Sequence, residues 1–353
     1  MKLSVIKAAI VWGAAVLAGV APAFADGPER PVQFWGNASN YVERQAAATL
    51  TMADRLLAAD AAAGGLYPSD TISTNRRAAL LLLDQLIHDT RLDGSQIMAD
   101  FMSARLARAL DDMAAPVEGL KAYKLYNCGT VVRTPGATVA WDICRGPKVK
   151  ESDQRLMADS LVSRIVDQCD VMFLTHNHGD HVDRGVVEMF LAAGKPVVAP
   201  TEVLKDDARV MHVRREERFD TTLTLPSGVV LPAVFLPGHQ DHLQNNIVVV
   251  TSPEGYRFTA TGDQWLKEDN DWLIDGAEPL PEVDLLMPIC WASRLPELVE
   301  RFNPKAVMTI HENEIAHSID HREAYWLSAD KLREVRRPAA LLTWGEWLQL
   351  PPR

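Results

Sequence analysis

This 353-residue sequence predicts a layered α/β protein preceded by a helical N-terminal extension, on three observations. From Ser39 to about Ala114 the chain is poor in β-branched runs and its apolar residues recur at helical spacing, as in Leu80, Leu83 and Ile87 or Ile97, Phe101, Leu106 and Leu110. After Pro116, short apolar runs of strand length alternate with helical runs, the pattern of sheets covered by helices. Several of those strand-like runs end on histidine or aspartate, as at His176, His239, Asp263 and His311.

Residues 1–25 read as a secretory leader. Lys2 and Lys7 form a short basic start, residues 8–20 are apolar, and Ala23-Phe-Ala25 is a small-x-small cleavage site before Asp26. A membrane anchor is the rival reading, but the apolar run is short for a span and is followed by Pro22. No cysteine follows the cleavage site to carry a lipid. The mature chain is therefore expected in the periplasm or outside the cell, with no stable membrane span once the leader is removed. Residues 26–118 form the extension, with helices at 39–63, 74–91 and 95–114. Gly64-Gly65 and Asp93-Gly94 separate them, with Ser73 or Thr74 and Asp93 or Ser95 as cap residues.

Residues 119–353 form the α/β domain. It opens with strands at 123–133 and 138–144 joined at Thr134-Pro-Gly-Ala137. A helical run near 152–167, a strand at 169–175, a helix at 183–193 and a strand at 196–199 follow. Further strand-like runs lie at 208–213, 221–236, 245–251 and 256–261, then a strand at 283–288, a helix at 295–302, and strands at 305–310 and near 339–343. A tight hairpin at 134–137 sets Cys128 opposite or nearly opposite Cys144, placed for a disulfide in an oxidising compartment; two separate buried thiols are the alternative. Cys169 and Cys290 stand at opposite ends of their strands and are not expected to pair. Removing the leader takes Lys2 and Lys7 and moves the formal charge from −11 to −13. No basic run interrupts this acidity, which counts against a nucleic-acid partner and leaves a small-molecule substrate as the expected one.

Four potential metal ligands, His176, His178, Asp180 and His181, fall within six residues after the apolar run Val171-Met-Phe-Leu174. A strand end is a rigid mount for side chains that must converge on a point. The His-x-His alternation aims two imidazoles to one side, while Asp180 and His181, beyond Gly179, reach a second point, an arrangement that suits two metals. Eight of the ten histidines lie in three clusters, at 176–181, 239–242 and 311–321, each following an apolar run, which argues against scattered loop histidines.

In order, the run from His176 to His181, Pro237-Gly-His239, Thr261-Gly-Asp263 and His311 resemble the metal motif of the metallo-β-lactamase superfamily of hydrolases, over roughly residues 120–347. The resemblance implies an αββα sandwich with metals at one edge. By family position His176, His178 and His239 would hold one metal, Asp180, His181 and His311 the other, with Asp263 bridging. Imidazoles and carboxylates suit zinc first, with manganese or iron as alternatives, and two divalent ions imply hydrolysis by a metal-bound hydroxide. Departures from family patterns exclude some branches. True β-lactamases of this fold lack the bridging aspartate, flavin-linked diiron reductases carry glutamate where His178 stands, and RNA-processing nucleases need an insertion for which 182–238 leaves no room. The opening hairpin, Tyr123 to Arg145, resembles the branch of ascorbate-phosphate lactonase and N-acyl phosphatidylethanolamine phospholipase D, which places substrates among esters, lactones and phosphodiesters.

Asp180, His242 and His317 are the candidate catalytic side chains, Asp180 doubling as a ligand. His242 is also a rival to His239, which is preferred because it directly follows the strand and the Pro-Gly turn. Glu312, Glu314, His317 and His321 read either as a substrate or proton-transfer wall or as a solvated loop. Trp265, Trp272 and Trp291 are pocket or core aromatics, and Cys290 is not assigned as a ligand. Two other function classes stay open: a mononuclear iron oxygenase using His176, His178 and Asp263, and a non-catalytic metal-binding protein.

Overall fold

The computed structural model describes residues 38–62, 67–68, 72–150, 152–213, 217–240 and 243–353. The leader reading lies outside the described residues. Among those described, no helix is long and apolar enough to cross a membrane. The extension contains α1 (Ala38–Ala62), β1 (Tyr67–Pro68), α2 (Thr74–Ile87) and α3 (Gln96–Ala114). Ser73 and Ser95 are the caps, accepting from the backbone N–H of Arg76 and Met98. α2 stops at Ile87 instead of running to 91, because the Asp89 carboxylate takes the Arg91 N–H and offers the backbone a turn in place of the helix.

The remaining elements are β2 (Leu120–Lys124), β3 (Thr130–Thr134), β4 (Ala137–Trp141), α4 (Asp159–Gln168), β5 (Val171–Phe173), α5 (Arg184–Ala192), β6 (Val197–Ala199), β7 (Met211–His212), β8 (Phe219–Thr224) and β9 (Val230–Gln240). After them come β10 (Leu243–Thr251), β11 (Arg257–Ala260), α6 (Lys267–Asp275), β12 (Leu285–Met287), α7 (Leu295–Phe302), β13 (Ala306–Met308), α8 (Tyr325–Leu332), β14 (Pro338–Ala340) and β15 (Glu346–Leu350). They build two mixed sheets, ordered β1-β14-β13-β12-β11-β10-β9-β8 and β15-β2-β3-β4-β5-β6-β7.

Strand alternation explains the layering, since successive side chains point to opposite faces. Val139, Trp141, Val171 and Phe173 of one sheet meet Val248, Val250, Phe258, Leu285 and Met287 of the other in a core between the sheets. The intervening Ala140, Met172, Ile247, Val249 and Leu286 face outward and are covered by helices. Both faces of each central strand are therefore buried, and the result is the αββα sandwich.

Three differences from the sequence reading have local causes. The run 123–133 is two strands, because Asn127 adopts φ 51° and the Gly129 N–H bonds back to the Tyr126 carbonyl at 2.8 Å. The run 221–236 divides into β8 and β9 at a turn through Gly228, φ 85°. α6, α8 and β15 were not foreseen. β15 is an edge strand in which Glu346 and Gln349 interrupt the apolar pattern, and it is recognisable only from its pairing with β2.

The extension is pinned to the sandwich by buried charge. The Arg76 guanidinium donates to Glu346 Oε1 at 2.8 Å, to Asp60 Oδ2 at 2.6 Å and to the Leu341 carbonyl at 2.8 Å. Arg105 donates to the Trp344 carbonyl at 2.7 Å and to Thr343 Oγ1 at 2.8 Å. From α2, Asp84 accepts from Asn313 Nδ2 at 2.9 Å and from the N–H of Tyr325 at 2.8 Å, which ties the extension to the segment that carries His311.

Candidate metal centre

The parallel strands β4 and β5 of one sheet and β11 and β13 of the other end at one edge of the sandwich, and each continues into a site residue: Asp142, His176, Asp263 and His311. After β5 the chain turns on itself, with the N–H groups of His181 and Val182 bonding to the His178 carbonyl at 3.1 and 2.9 Å. Asp183 closes the turn by capping α5, and Arg145 holds Asp183 through a 2.7 Å ion pair. Opposite it, Gly262 sits at φ 55°, where an added Cβ would lie 2.3 Å from Asn245 Oδ1 and 2.6 Å from Thr175 Cβ, so only glycine lets β11 deliver Asp263 this close to the histidine loop. Gly179, by contrast, has open space above it and forms part of the mouth.

Asp263 faces two donor groups with its two oxygens. Oδ2 lies 3.4 Å from His176 Nε2 and 3.9 Å from His178 Nδ1, while Oδ1 lies 3.1 Å from His181 Nε2 and 3.7 Å from His311 Nε2. Asp180 Oδ2 stands 3.5 Å from His181 Nε2, 3.2 Å from His311 Nε2 and 3.6 Å from His317 Nε2. The structure thus brings together six of the seven expected ligands, His176, His178, Asp180, His181, Asp263 and His311. His239 occupies β9 in register with Gln244, but its side chain lies outside the described residues, as does all of His242.

The donor set fits metal ions. His176 Nε2, His181 Nε2 and Asp263 Oδ1 are buried and lack a hydrogen-bond partner, an arrangement that costs free energy unless something is bound there. His181 bonds through Nδ1 to Asp142 Oδ2 at 2.9 Å, which leaves Nε2 free, and Thr175 Oγ1 lies 3.1 Å from His176 Nδ1. Thr175 is itself held by Asp142, its N–H at 2.9 Å and its hydroxyl at 2.6 Å.

Electrostatics agree with this. Burial opposes charge on His181 and His311, yet Asp263 foremost and Asp180 hold both imidazoles above the ordinary histidine range. Burial would raise the Asp263 carboxyl, but His181, His311 and His176 hold it well below its usual range. His176 is lowered, chiefly by burial. Strain also gathers here: Asn127, Asp142, His311 and Asn313, at φ 51°, 44°, 75° and 56°, are left-handed non-glycine residues at or beside the site.

The polar stretch after His311 is not a solvated loop. Glu312 is buried and paired with Lys124, whose ammonium also donates to the Thr309 carbonyl at 2.8 Å. Glu314 accepts from the Tyr126 hydroxyl at 2.5 Å, and burial foremost lifts its carboxyl to about 7. His317 faces Asp180, whereas His321 is exposed. Trp291 packs against His311 with ring centroids 4.9 Å apart, while Trp265 and Trp272 are exposed.

Of the two readings of Cys128 and Cys144, the structure has the separate buried thiols and not the disulfide: all four cysteines are free and buried. The turn at Asn127 swings Cys128 toward His181, Asp263 and His311, while Cys144 lies beyond the end of β4 with its sulfur 3.9 Å from the Gly179 carbonyl. Asp142, Asn127 and Cys128 were not foreseen as site residues. For Asp142 a signal existed, since Val139-Ala-Trp-Asp142 ends a strand on a carboxylate just as Thr259-Ala-Thr-Gly-Asp263 does. Beside the centre opens a cleft of about 560 Å³ lined by Gly179, Asp180, Arg184, Glu314 and His317 among others. A surface cavity of about 640 Å³ near Glu297 and Arg301 contains none of these residues.

No family model matches the sequence, and no curated protein matches it. Solved structures are similar in fold. Igni18, a metallo hydrolase from the hyperthermophilic archaeon Ignicoccus hospitalis KIN4/I, is 15% identical, with 66% of this chain and 99% of that one covered at a TM-score of 0.50. CmlA, a diiron β-hydroxylase from Streptomyces venezuelae, is 14% identical, with 67% of this chain and 55% of that one covered at 0.48. An isothiocyanate hydrolase from Delia radicum gut bacteria is 10% identical, with 66% and 100% covered at 0.45.

Proposed function

The chain has the metallo-β-lactamase fold, and on that footing we propose that it is an exported metal-dependent hydrolase that holds two divalent ions and cleaves an ester, lactone or phosphodiester. The observation that carries this reading is the splayed Asp263 carboxylate, one oxygen toward His176 and His178 and the other toward His181 and His311. Asp180 joins the second group, and His239 would complete the first. When bound, two such ions supply Lewis acidity and make water a nucleophile at neutral pH.

The chain's own groups do the remainder. Asp142 fixes the His181 ring and keeps Nε2 free. Asn127 donates to Asp180 Oδ2 at 3.1 Å and orients it toward the centre. His317, held below the ordinary histidine value chiefly by burial, is an uncharged imidazole at neutral pH and can take or give a proton at the cleft wall. Glu314, lifted to about 7, can hold a proton beside it. Exposed Arg184 stands at the cleft mouth and favours a substrate that carries negative charge.

The test is a panel of ester, lactone and phosphodiester substrates offered to metal-loaded protein. At least one class is expected to turn over, with activity abolished by a chelator and restored by metal. His317→Ala is expected to keep its metals and lose turnover. Fully loaded protein that hydrolyses none of the three classes would contradict the hydrolase reading and favour the oxygenase or the non-catalytic alternative.

A further inference from the structure

We propose that Cys128 is a thiolate ligand of the metal shared by His181, Asp263 and His311. The inference rests on the metal-centre reading and adds a sulfur donor to it. The sulfur of Cys128, a nitrogen of each imidazole and an oxygen of Asp263 all lie within 4.8 Å of one another, and all four residues are buried. Zinc bonds of about 2.0–2.3 Å place neighbouring ligand atoms of a tetrahedron about 3.3–3.8 Å apart, a spacing near that of this set, and Asp180 or water would then take a fifth position. His181 Nε2 and His311 Nε2 already stand 3.1 and 3.7 Å from Asp263 Oδ1.

Two further observations point to a ligand here. His181 Nε2 and Asp263 Oδ1 are buried atoms without hydrogen-bond partners, and both belong to this set. The turn that presents Cys128 is fixed by the left-handed Asn127 and by the Gly129 N–H to Tyr126 carbonyl bond, so the thiol is held in place and not merely nearby. The competing account is a thiol that only packs in the core between the sheets, where Cys128 also makes contact. The two accounts differ in metal preference. A thiolate is a soft donor that strengthens the preference for zinc or iron over manganese beyond what nitrogen and oxygen donors give, and it alone supplies sulfur-to-metal charge transfer.

Cobalt(II) reports the difference. Metal-free wild type, Cys128→Ser and Cys144→Ser are titrated with cobalt(II) and followed by absorption. Wild type and Cys144→Ser are expected to develop an intense near-ultraviolet sulfur-to-cobalt band alongside the weaker visible bands. Cys128→Ser is expected to lack the near-ultraviolet band and to bind one cobalt at least about 10-fold more weakly, the lower end of what losing even a supporting partner costs. Visible cobalt bands in wild type without the near-ultraviolet band overturn the proposal, as does a band that survives in Cys128→Ser. The wild-type spectrum decides even if that variant does not fold. A wild type that takes up no cobalt at all overturns the metal centre itself, an outcome distinct from loss of the sulfur band alone.

Discussion

At the scale of single residues, one carboxylate organises the site and a second holds its ligands in place. Asp142 accepts from the Thr175 N–H and hydroxyl and pairs with His181 Nδ1, so one contact sets the direction of the His181 ring and two fix the Thr175 that borders His176. Asp142→Asn is expected to weaken metal binding about 10- to 100-fold with the fold retained, as isothermal titration with zinc would measure. His181 and His311 hold protons above the ordinary histidine range in the metal-free protein, and a metal must displace them. Metal affinity should therefore rise with pH through and above that range, with protons released on binding; release measured in two buffers of different ionisation enthalpy checks the sign. The run from His176 to His181 stands out in the sequence as a candidate donor set because four donors fall within six residues after a strand-like run, and the structure gathers them at one edge of the sandwich. The direction of Cys128 depends on one left-handed residue, Asn127, and the Asn127-Cys-Gly129 stretch, which holds two residue types that favour such a turn, lies inside the run 123–133 that the sequence reading takes as one strand.

At the scale of elements, the helical extension and the sandwich share buried charge. Burial would raise the Glu346 carboxyl, but Arg76 foremost and Arg105 hold it down to about 2. A depressed carboxylate contributes stability above its unfolded value, ordinarily near 4.5, and loses that contribution as pH falls toward about 2. Acid unfolding is expected to steepen in that window and to be milder in Glu346→Gln. Arg76→Ala removes the buried cation that Asp60 and Glu346 share and should cost about 3–5 kcal/mol, read as a shift in the urea midpoint. An unchanged midpoint would mean that the extension is not held through this pair. α1, α2 and α3 were legible because their apolar faces repeat over several turns, and the Ser73 and Ser95 caps were among the alternatives named. α6, α8 and β15 were not, being short and dependent on tertiary partners.

At the scale of the whole molecule, the layered architecture follows from strands buried on both faces, and the site follows from strand ends of both sheets meeting at one edge. This explains why donors distant in sequence that meet at this edge could be listed as candidates while the residues that steer them could not: strand ends are periodic features, whereas steering depends on contacts between the sheets. The central claim is a pair of metals joined through Asp263. Elemental analysis of protein purified without chelator, for wild type and Asp263→Ala, tests it most directly. Two metal ions per chain are expected in wild type and at most one in Asp263→Ala, with hydrolysis nearly abolished in the variant. One iron per chain in wild type, or native metal content and activity in Asp263→Ala, would contradict the account.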